Sequence, residues 1–331
     1  MKSNSFTRRA MSATVGAAVL LGAGLAGPAH AADKAYPNRT VTFIVPFPPG
    51  SATDTSARYF GKKLTDLTGQ AVVIDNRPGG NGFIAVNAAL NAKPDGYTVF
   101  FGSNSTLAVN AALFKKLPYD PVKDFKPLSL SVLTPAVLAT PAGSKYKTMA
   151  DLIAAAKANP GKLNYGAGSA GYQLMAELFN EQAKVKTTNI PFKGASESMQ
   201  AIVANTIDFS FVEITSALEL INSGKARGLA LAHTQRVPAA KDIPTAAEAG
   251  LPGFTAYAWV GAMMPAKVPA AETKVMADLM TKIVQLPETK AFYEKLGAEA
   301  AKGGPAEFAA FQLKEIEQWK RIAKIAGVEL Q

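Results

Sequence analysis

The stretch YPNRTVTFIVPFPPGSATDTSAR, Tyr36 to Arg58, decides the reading of this chain. Val41 to Val45 reads as a buried strand, the Pro/Gly-rich residues after it as a loop, and the segment from about Thr53 as a helix. A loop of this kind sets backbone N–H groups at a helix N-terminus, where unpaired donors and the helix dipole favour a negative ligand group. Ser51 or Thr53 is placed to cap the helix. Gly50 lets the backbone approach a bound molecule closely. An ordinary strand-to-helix turn carries the same pattern.

Outward from this stretch, strand-like and helix-like segments alternate. A helix runs through about Leu67, followed by a strand at Ala71 to Ile74 and a flexible loop from Asn76 to Gly82. A second helix reaches Ala92, and a third strand, Tyr97 to Phe101, ends in Gly102-Ser103-Asn104-Ser105. A second unit follows the same plan. Ala136 to Ala139 is a strand, Thr148 caps a helix through Ala158, and Leu163 to Tyr165 leads into the glycine-rich loop Gly166 to Gly171 and a helix from Tyr172. Strands at Thr188 to Phe192, Ile207 to Val212 and Gly228 to Ala232 alternate with helices at Ala195 to Ala204 and Ser216 to Asn222. A short helix is expected within Pro244 to Gly253. Thr255 to Met263 reads as a strand returning to the first unit, and the C-terminal part is helical by periodicity. Alternation of this kind implies α/β architecture, with parallel sheets flanked by helices. Ligands of open α/β sheets bind at the carboxyl edge, so two such edges facing each other make a cleft.

The first 31 residues read as a secretory leader: Lys2, Arg8 and Arg9, then the apolar run Met11 to Gly27, then Ala29-His30-Ala31. Cleavage is expected after Ala31 and export to the periplasm by the general route, although Arg8-Arg9 also suits twin-arginine export. Nothing later reaches the ~20 apolar residues that a membrane span requires. The remaining 300 of the 331 residues suggest two domains. With no cysteine, the fold rests on packing alone. The leader holds three of the positive charges and no acidic residue, so the formal +10 becomes +7 in the mature chain. The basic residues are scattered rather than gathered in a stripe with aromatics, which argues against nucleic acid. A mild positive field helps to gather small anions.

Several motifs carry no chemistry. Gly166-Ala167-Gly168-Ser169-Ala170-Gly171 has the dinucleotide spacing, but the next strand ends Pro191-Phe192-Lys193, without the acidic residue a ribose needs. His233 is the one histidine after the leader, there is no G-x-S-x-G elbow, and no set of side chains suits a metal. No cofactor is expected. Tyr257 and Trp259 read as residues of the core or the domain junction; the alternative is that one of them, or Phe47, stacks on an aromatic ligand.

The order of further motifs identifies a resemblance. IDNRPGGNG, KPDGYTV, KLPYDPVKDFKPLS, IPFKGASESMQAIVANTIDFSF, GKARGLALAHTQR, IPTAAEAGLPGF and AEFAAFQLKEIEQWKRIAKIAG follow the opening stretch in sequence. The chain resembles the Bug, or tricarboxylate-binding-receptor, family of periplasmic solute-binding proteins, over essentially the whole mature length. The resemblance implies a two-lobed type II periplasmic-binding-protein fold, each lobe a mostly parallel sheet flanked by helices. One domain would comprise residues 32–132 with 256–331, the other 133–255, with hinges near Leu130 to Pro135 and Gly253 to Ala258. The ligand implied is a small organic carboxylate, held between two loops by backbone N–H groups, hydroxyls and waters. By position the first loop is Phe47 to Asp54, with Ser51, Ala52 and Thr53 in it. The facing loop is Gly166 to Tyr172, with Gly168, Ser169, Ala170, Gly171 and Tyr172 as its contact residues. Asn81, Ser103 and Asn104 line the first wall, and Lys193 and Glu213 stand at strand ends in the second.

The sequence departs from the family pattern in places. The first loop reads Pro49-Gly50-Ser51 where PGG is common, the facing loop is shorter than in many members, Leu174 stands where histidine is frequent, and Glu213 where an amide is frequent. An added carboxylate repels a second anionic group unless water or a ligand amine intervenes. The function implied is capture of a di-, tri- or aromatic carboxylate by a monomeric, non-enzymatic receptor and its delivery to the integral-membrane permease of a tripartite tricarboxylate transporter. An exported hydrolase and a ligand-presenting sensory receptor are the other readings.

Overall fold

Val41–Val45 forms β1 because its β-branched and aromatic side chains suit a strand covered on both faces; all but Thr42 are buried. In the computed structural model, which describes residues 36–328 and 330, the chain turns from β1 into α1 (Ala52–Thr68). The leader expected over residues 1–31 lies outside the described residues. Helix α1 stops at Gly69, whose φ of 71° returns its N–H to the Thr65 carbonyl.

The elements that follow are β2 (Val72–Asn76), α2 (Phe83–Leu90), β3 (Thr98–Ser103), α3 (Asn110–Leu113), β4 (Phe125–Pro141), α4 (Met149–Ala158), β5 (Asn164–Ala167) and α5 (Ala170–Ala183). They continue as β6 (Thr188–Pro191), α6 (Ala195–Val203), β7 (Phe209–Glu213), α7 (Ile214–Asn222), β8 (Ala226–Leu231) and β9 (Tyr257–Pro265). The chain ends with α8 (Ala270–Val284), α9 (Pro287–Lys295), β10 (Glu299–Ala300) and α10 (Pro305–Ile325). The strands lie in the order β2-β1-β3-β9-β4-β7-β5-β6, with β8 and β10 joining at β4. Residues from Arg39 onward gather into one compact unit.

The outer strands pair in parallel: β1 with β2 and β3, β5 with β6 and β7. The two long strands between them run antiparallel to their neighbours, so the sheet is mixed. Along β4, residues Phe125 to Pro135 pair with β9, whereas Ala136 to Ala139 pair with β7 and Val137 to Pro141 with β8. The partner changes between Pro135 and Ala136. Beside that step, Ala136 N–H donates to the Ala256 carbonyl, Ala256 N–H to Ala232, and Ala232 N–H to Ala136. The chain thus passes twice between the two halves of the sheet, at Pro135/Ala136 and at Ala256.

Each half has its own aromatic packing. Phe43, Phe60 and Phe101 meet behind β1 and β3; Phe179, Phe209, Phe211 and Phe254 meet behind β5 and β7. Burying each such ring is worth about 1.5–3 kcal/mol. Two sequence expectations need correction. The strand expected at Ala136 to Ala139 is the second half of a 17-residue strand, whose first half was hidden by Pro127 and by serines that lie buried in it. The short helix expected within Pro244 to Gly253 is a set of turns, in which Ala246 N–H bonds back to Leu231 and Leu251 N–H to Ala246. Among the described residues no helix is long and apolar enough to cross a membrane.

Candidate functional site

The β1–α1 loop is held by its own side chains. Ser51 is the N-cap of α1, with ψ at 159° and its Oγ accepting the Asp54 N–H at 3.2 Å. Asp54 folds back and accepts the Gly50 N–H at 3.0 Å, while Gly50 itself takes φ 83°. The same carboxylate accepts from Arg58 Nε and Asn76 Nδ2, both at 2.9 Å. Asp54, expected among the ligand contacts, instead fixes the loop from behind. The N–H groups of Ala52 and Thr53 find no acceptor within this loop and stand at the front of α1.

The facing loop, Gly168-Ser169, leaves β5 and enters α5. Ser169 occupies the N-cap position of α5 without capping it through its side chain. Its Oγ accepts a hydrogen bond from Ser105 Oγ at 2.9 Å, and Ser105 Oγ in turn accepts the Gly171 N–H at 3.2 Å. Gly168 is required by close approach: a Cβ there would lie 2.3 Å from the Gly194 carbonyl carbon. Gly194 precedes α6, and its own missing Cβ leaves room for Pro48 of the first loop, whose Cδ would lie 2.6 Å away. The two glycine-lined turns therefore face each other.

Between them lies a cavity of about 20 Å³, lined by Phe47, Ser51, Ala52, Thr53, Ser103, Asn104, Gly168, Ser169, Tyr172 and Glu213 among others. That volume accommodates little more than one water. The starts of α1, α5, α6 and α7 all border it, through Ala52, Ser169, Ala195 and Glu213. Four helix N-termini converging on one point favour an acceptor or negative group there. Asn104 is buried, and its Nδ2 has no hydrogen-bond partner.

Glu213, 2% exposed, reaches across the cavity. Its Oε1 accepts the Ala52 N–H at 3.0 Å and Ser216 Oγ at 2.7 Å, and its Oε2 accepts the Tyr172 hydroxyl. A carboxylate of the second half thus sits on the helix N-terminus of the first. Burial, and then the charge of Glu213, pushes the Tyr172 hydroxyl well above the ordinary tyrosine range, so Tyr172 stays a proton donor.

Of the residues expected from sequence, ten border this cavity. Ala170 and Gly171 stand just behind it at the start of α5. Asn81, with φ 51°, and the exposed Lys193 lie instead in a neighbouring vestibule of about 390 Å³, which shares Phe47, Gly168 and Ser169 with the inner cavity. Trp259, read from the sequence as a core residue or a stacking surface, also lines the cavity, as do Ser105, Ala195, Ala258 and Val260, which were not read from the sequence. Ser105 adjoins the expected Ser103-Asn104 and could have been found by extending that segment. Trp259 is fully buried, edge-on to Phe308 and Phe311, with its indole N–H on Glu315 at 2.7 Å. It is a wall residue rather than an open stacking face. His233 lies elsewhere, its ring paired with Gln235.

A mixed α/β sheet in two halves with a loop-walled cavity between them is the architecture of a periplasmic binding protein. Residues 56–328 match the model of the tripartite tricarboxylate transporter family receptors, and the chain belongs to that family. Protein BugT of Bordetella pertussis is 33% identical over 314 residues, covering 93% of this chain and 95% of BugT. The solved structure of Rpa4515 from R. palustris with adipate is 30% identical, with a TM-score of 0.85, over 89% of this chain and 99% of that one. MatC (Rpa3494) from Rhodopseudomonas palustris with bound malate is also 30% identical, with a TM-score of 0.82, over 87% of this chain and 99% of that one. The family is one of solute-binding receptors, not enzymes.

Proposed function

We propose that this chain captures a small organic carboxylate in the periplasm and delivers it to the membrane permease of a tripartite tricarboxylate transporter. The observation that carries this reading is the pair of opposed turns, Ser51 to Thr53 and Gly168-Ser169, enclosing converging helix N-termini and the unpaired Asn104 Nδ2. Main-chain donors, hydroxyls and an amide select an acid group without doing chemistry on it. Two similar proteins hold adipate and malate, which supports the ligand class. The family assignment supports the permease partner. Export follows from the leader reading, with cleavage after Ala31, and the receptor acts as a monomer.

In this reading residues 32–132 with 256–331 form one lobe and 133–255 the other. The change of strand partners at Pro135/Ala136 and the crossing at Ala256 support hinges there. A cavity of about 20 Å³ holds no dicarboxylate, so the turns part to admit ligand and close over it. Ligand that binds the closed form alone shifts the population toward it and raises the melting temperature. The test is thermal unfolding and calorimetry of the mature protein against a broad panel of mono-, di- and tricarboxylates. A saturable stabilisation by at least one of them is expected; a flat response across the whole panel overturns the proposal.

A further inference from the structure

The carboxylate of Glu213 is the feature of the cavity that receptor action alone does not explain. It is buried, it lines the space where ligand enters, and no Lys, Arg or His is paired with it among the described residues. A buried carboxylate without a counter-charge is costly, and hydrogen bonds offset only part of that cost. Ala52 N–H, Ser216 Oγ and the Tyr172 hydroxyl supply three donors. An ionised carboxylate has about four acceptor sites, so one remains for a further donor.

The one buried polar atom of the cavity without any partner among the described residues has the opposite character. Asn104 Nδ2 is a buried donor without an acceptor. The cavity therefore asks for both an acceptor and a donor on the same ligand. A second ligand carboxylate brought against Glu213 meets like charge and finds its best anchor, the Ala52 N–H, already taken by Oε1. An ammonium at that point supplies the missing counter-charge and fills the free acceptor site.

We propose that Glu213 makes this receptor select amino-carboxylates, molecules with one acid group and an ammonium at the other end, over dicarboxylates of the same length. The inference rests on the carboxylate-receptor reading above and names the ligand class of that same cavity. Glu213 acts as a built-in acid in place of the ligand's second one, and Asn104 with the surrounding hydroxyls receives the first.

Matched pairs of probes test this: 4-aminobutyrate against glutarate, and 5-aminopentanoate against adipate, titrated by calorimetry into the wild-type mature protein and into Glu213→Gln. The wild type is expected to bind the amino member of at least one pair more tightly than its dicarboxylate by roughly thirtyfold or more, the range for a buried charge pair. Glu213→Gln is expected to lose most of that ratio and to gain affinity for the dicarboxylate. If the wild type binds the dicarboxylates as tightly as the amino acids, or if the ratio survives unchanged in Glu213→Gln, the selectivity inference is wrong while the receptor reading stands. If neither protein binds any carboxylate of the wider panel, the receptor reading falls and takes this inference with it. The wild-type ratio is decisive by itself should Glu213→Gln fold poorly.

Discussion

Removing the Glu315 carboxylate should unlock the strand that carries the chain back between the halves of the sheet. Glu315 lies on α10 and is 2% exposed. Its Oε1 accepts the Tyr257 hydroxyl at 2.7 Å, and its Oε2 accepts two indole N–H groups, Trp259 at 2.7 Å and Trp319 at 3.2 Å. Both indoles are buried, so Glu315→Ala strands two donors away from water, each at about 1–3 kcal/mol. The void left by the side chain adds about 1 kcal/mol, for a total of roughly 3–7 kcal/mol. Tyr257 is half-buried and can turn to solvent, so it adds little. At about 2–4 °C per kcal/mol, the melting point should fall by roughly 6–28 °C. Glu315→Gln keeps one acceptor oxygen but turns an amide N–H toward the other donors, and should cost about 2 kcal/mol. These two tryptophans are the only two in the chain, so tryptophan emission, excited selectively over tyrosine, reports on this cluster alone. The assay is urea unfolding followed by tryptophan emission, with native-state spectra compared first. A Glu315→Gln protein as stable as wild type, or Glu315→Ala within about 1 kcal/mol of it, refutes the view that an acceptor-only group is required here.

Two further perturbations separate closure from folding, and a third tests a helix cap. Gly194→Ala places a methyl 2.6 Å from Pro48 Cδ on the opposite turn, while its φ of −175° suits any residue; carboxylate affinity should fall about tenfold, with unliganded stability changed by less than about 0.5 kcal/mol, and a stability loss as large as the affinity loss contradicts this. Ser169→Leu breaks the Ser105 contact and fills the cavity, so the ligand-induced rise in melting temperature should vanish while circular dichroism is unchanged; retained affinity moves the site elsewhere. The Thr148 side chain, then the N–H groups of Lys147 and Thr148, hold the Asp151 carboxyl below its ordinary range. Its contribution is therefore complete above the unfolded-state value near 4 and disappears as pH falls through the lower folded value. The stability gap between wild type and Asp151→Asn should narrow on acidification, and a gap that widens below pH 4 refutes the assignment.

Much of this fold was legible because local rules and tertiary demands agree along most of the chain. The Val41 to Val45 run, the Thr148 cap and the C-terminal helices fall within a few residues of where their patterns put them. The capping box of Thr148 and Asp151 is a purely local device, and local devices can be read from sequence. The first half of β4 was not legible, since Pro127, Ser129 and Ser131 read as a breaker and polar residues in a segment that is a strand only through its pairing with β9. The two-residue strand β10 exists solely because Leu133 and Val132 offer it a partner.

The site divides along the same line. Loops were legible where a strand, glycines and a small cap residue follow one another, so Ser51 to Thr53 and Gly168-Ser169 could be named from sequence. What each side chain does there depends on contacts made across the sheet. Asp54 looked like a cleft residue, yet Asn76, 22 positions on, draws its carboxylate to the back of the loop. Glu213 looked like an intruder in an anion site. Its meaning changes once its partner is known to be the Ala52 N–H, 161 residues earlier. A glutamate that only lined the wall would repel anions in general. One that already occupies the helix N-terminus replaces a ligand carboxylate and leaves its remaining lone pair and its charge for a donor. Substitution at this single strand end therefore changes which half of the ligand the receptor recognises, without altering the turns, helix starts and hinge strands that make it a receptor.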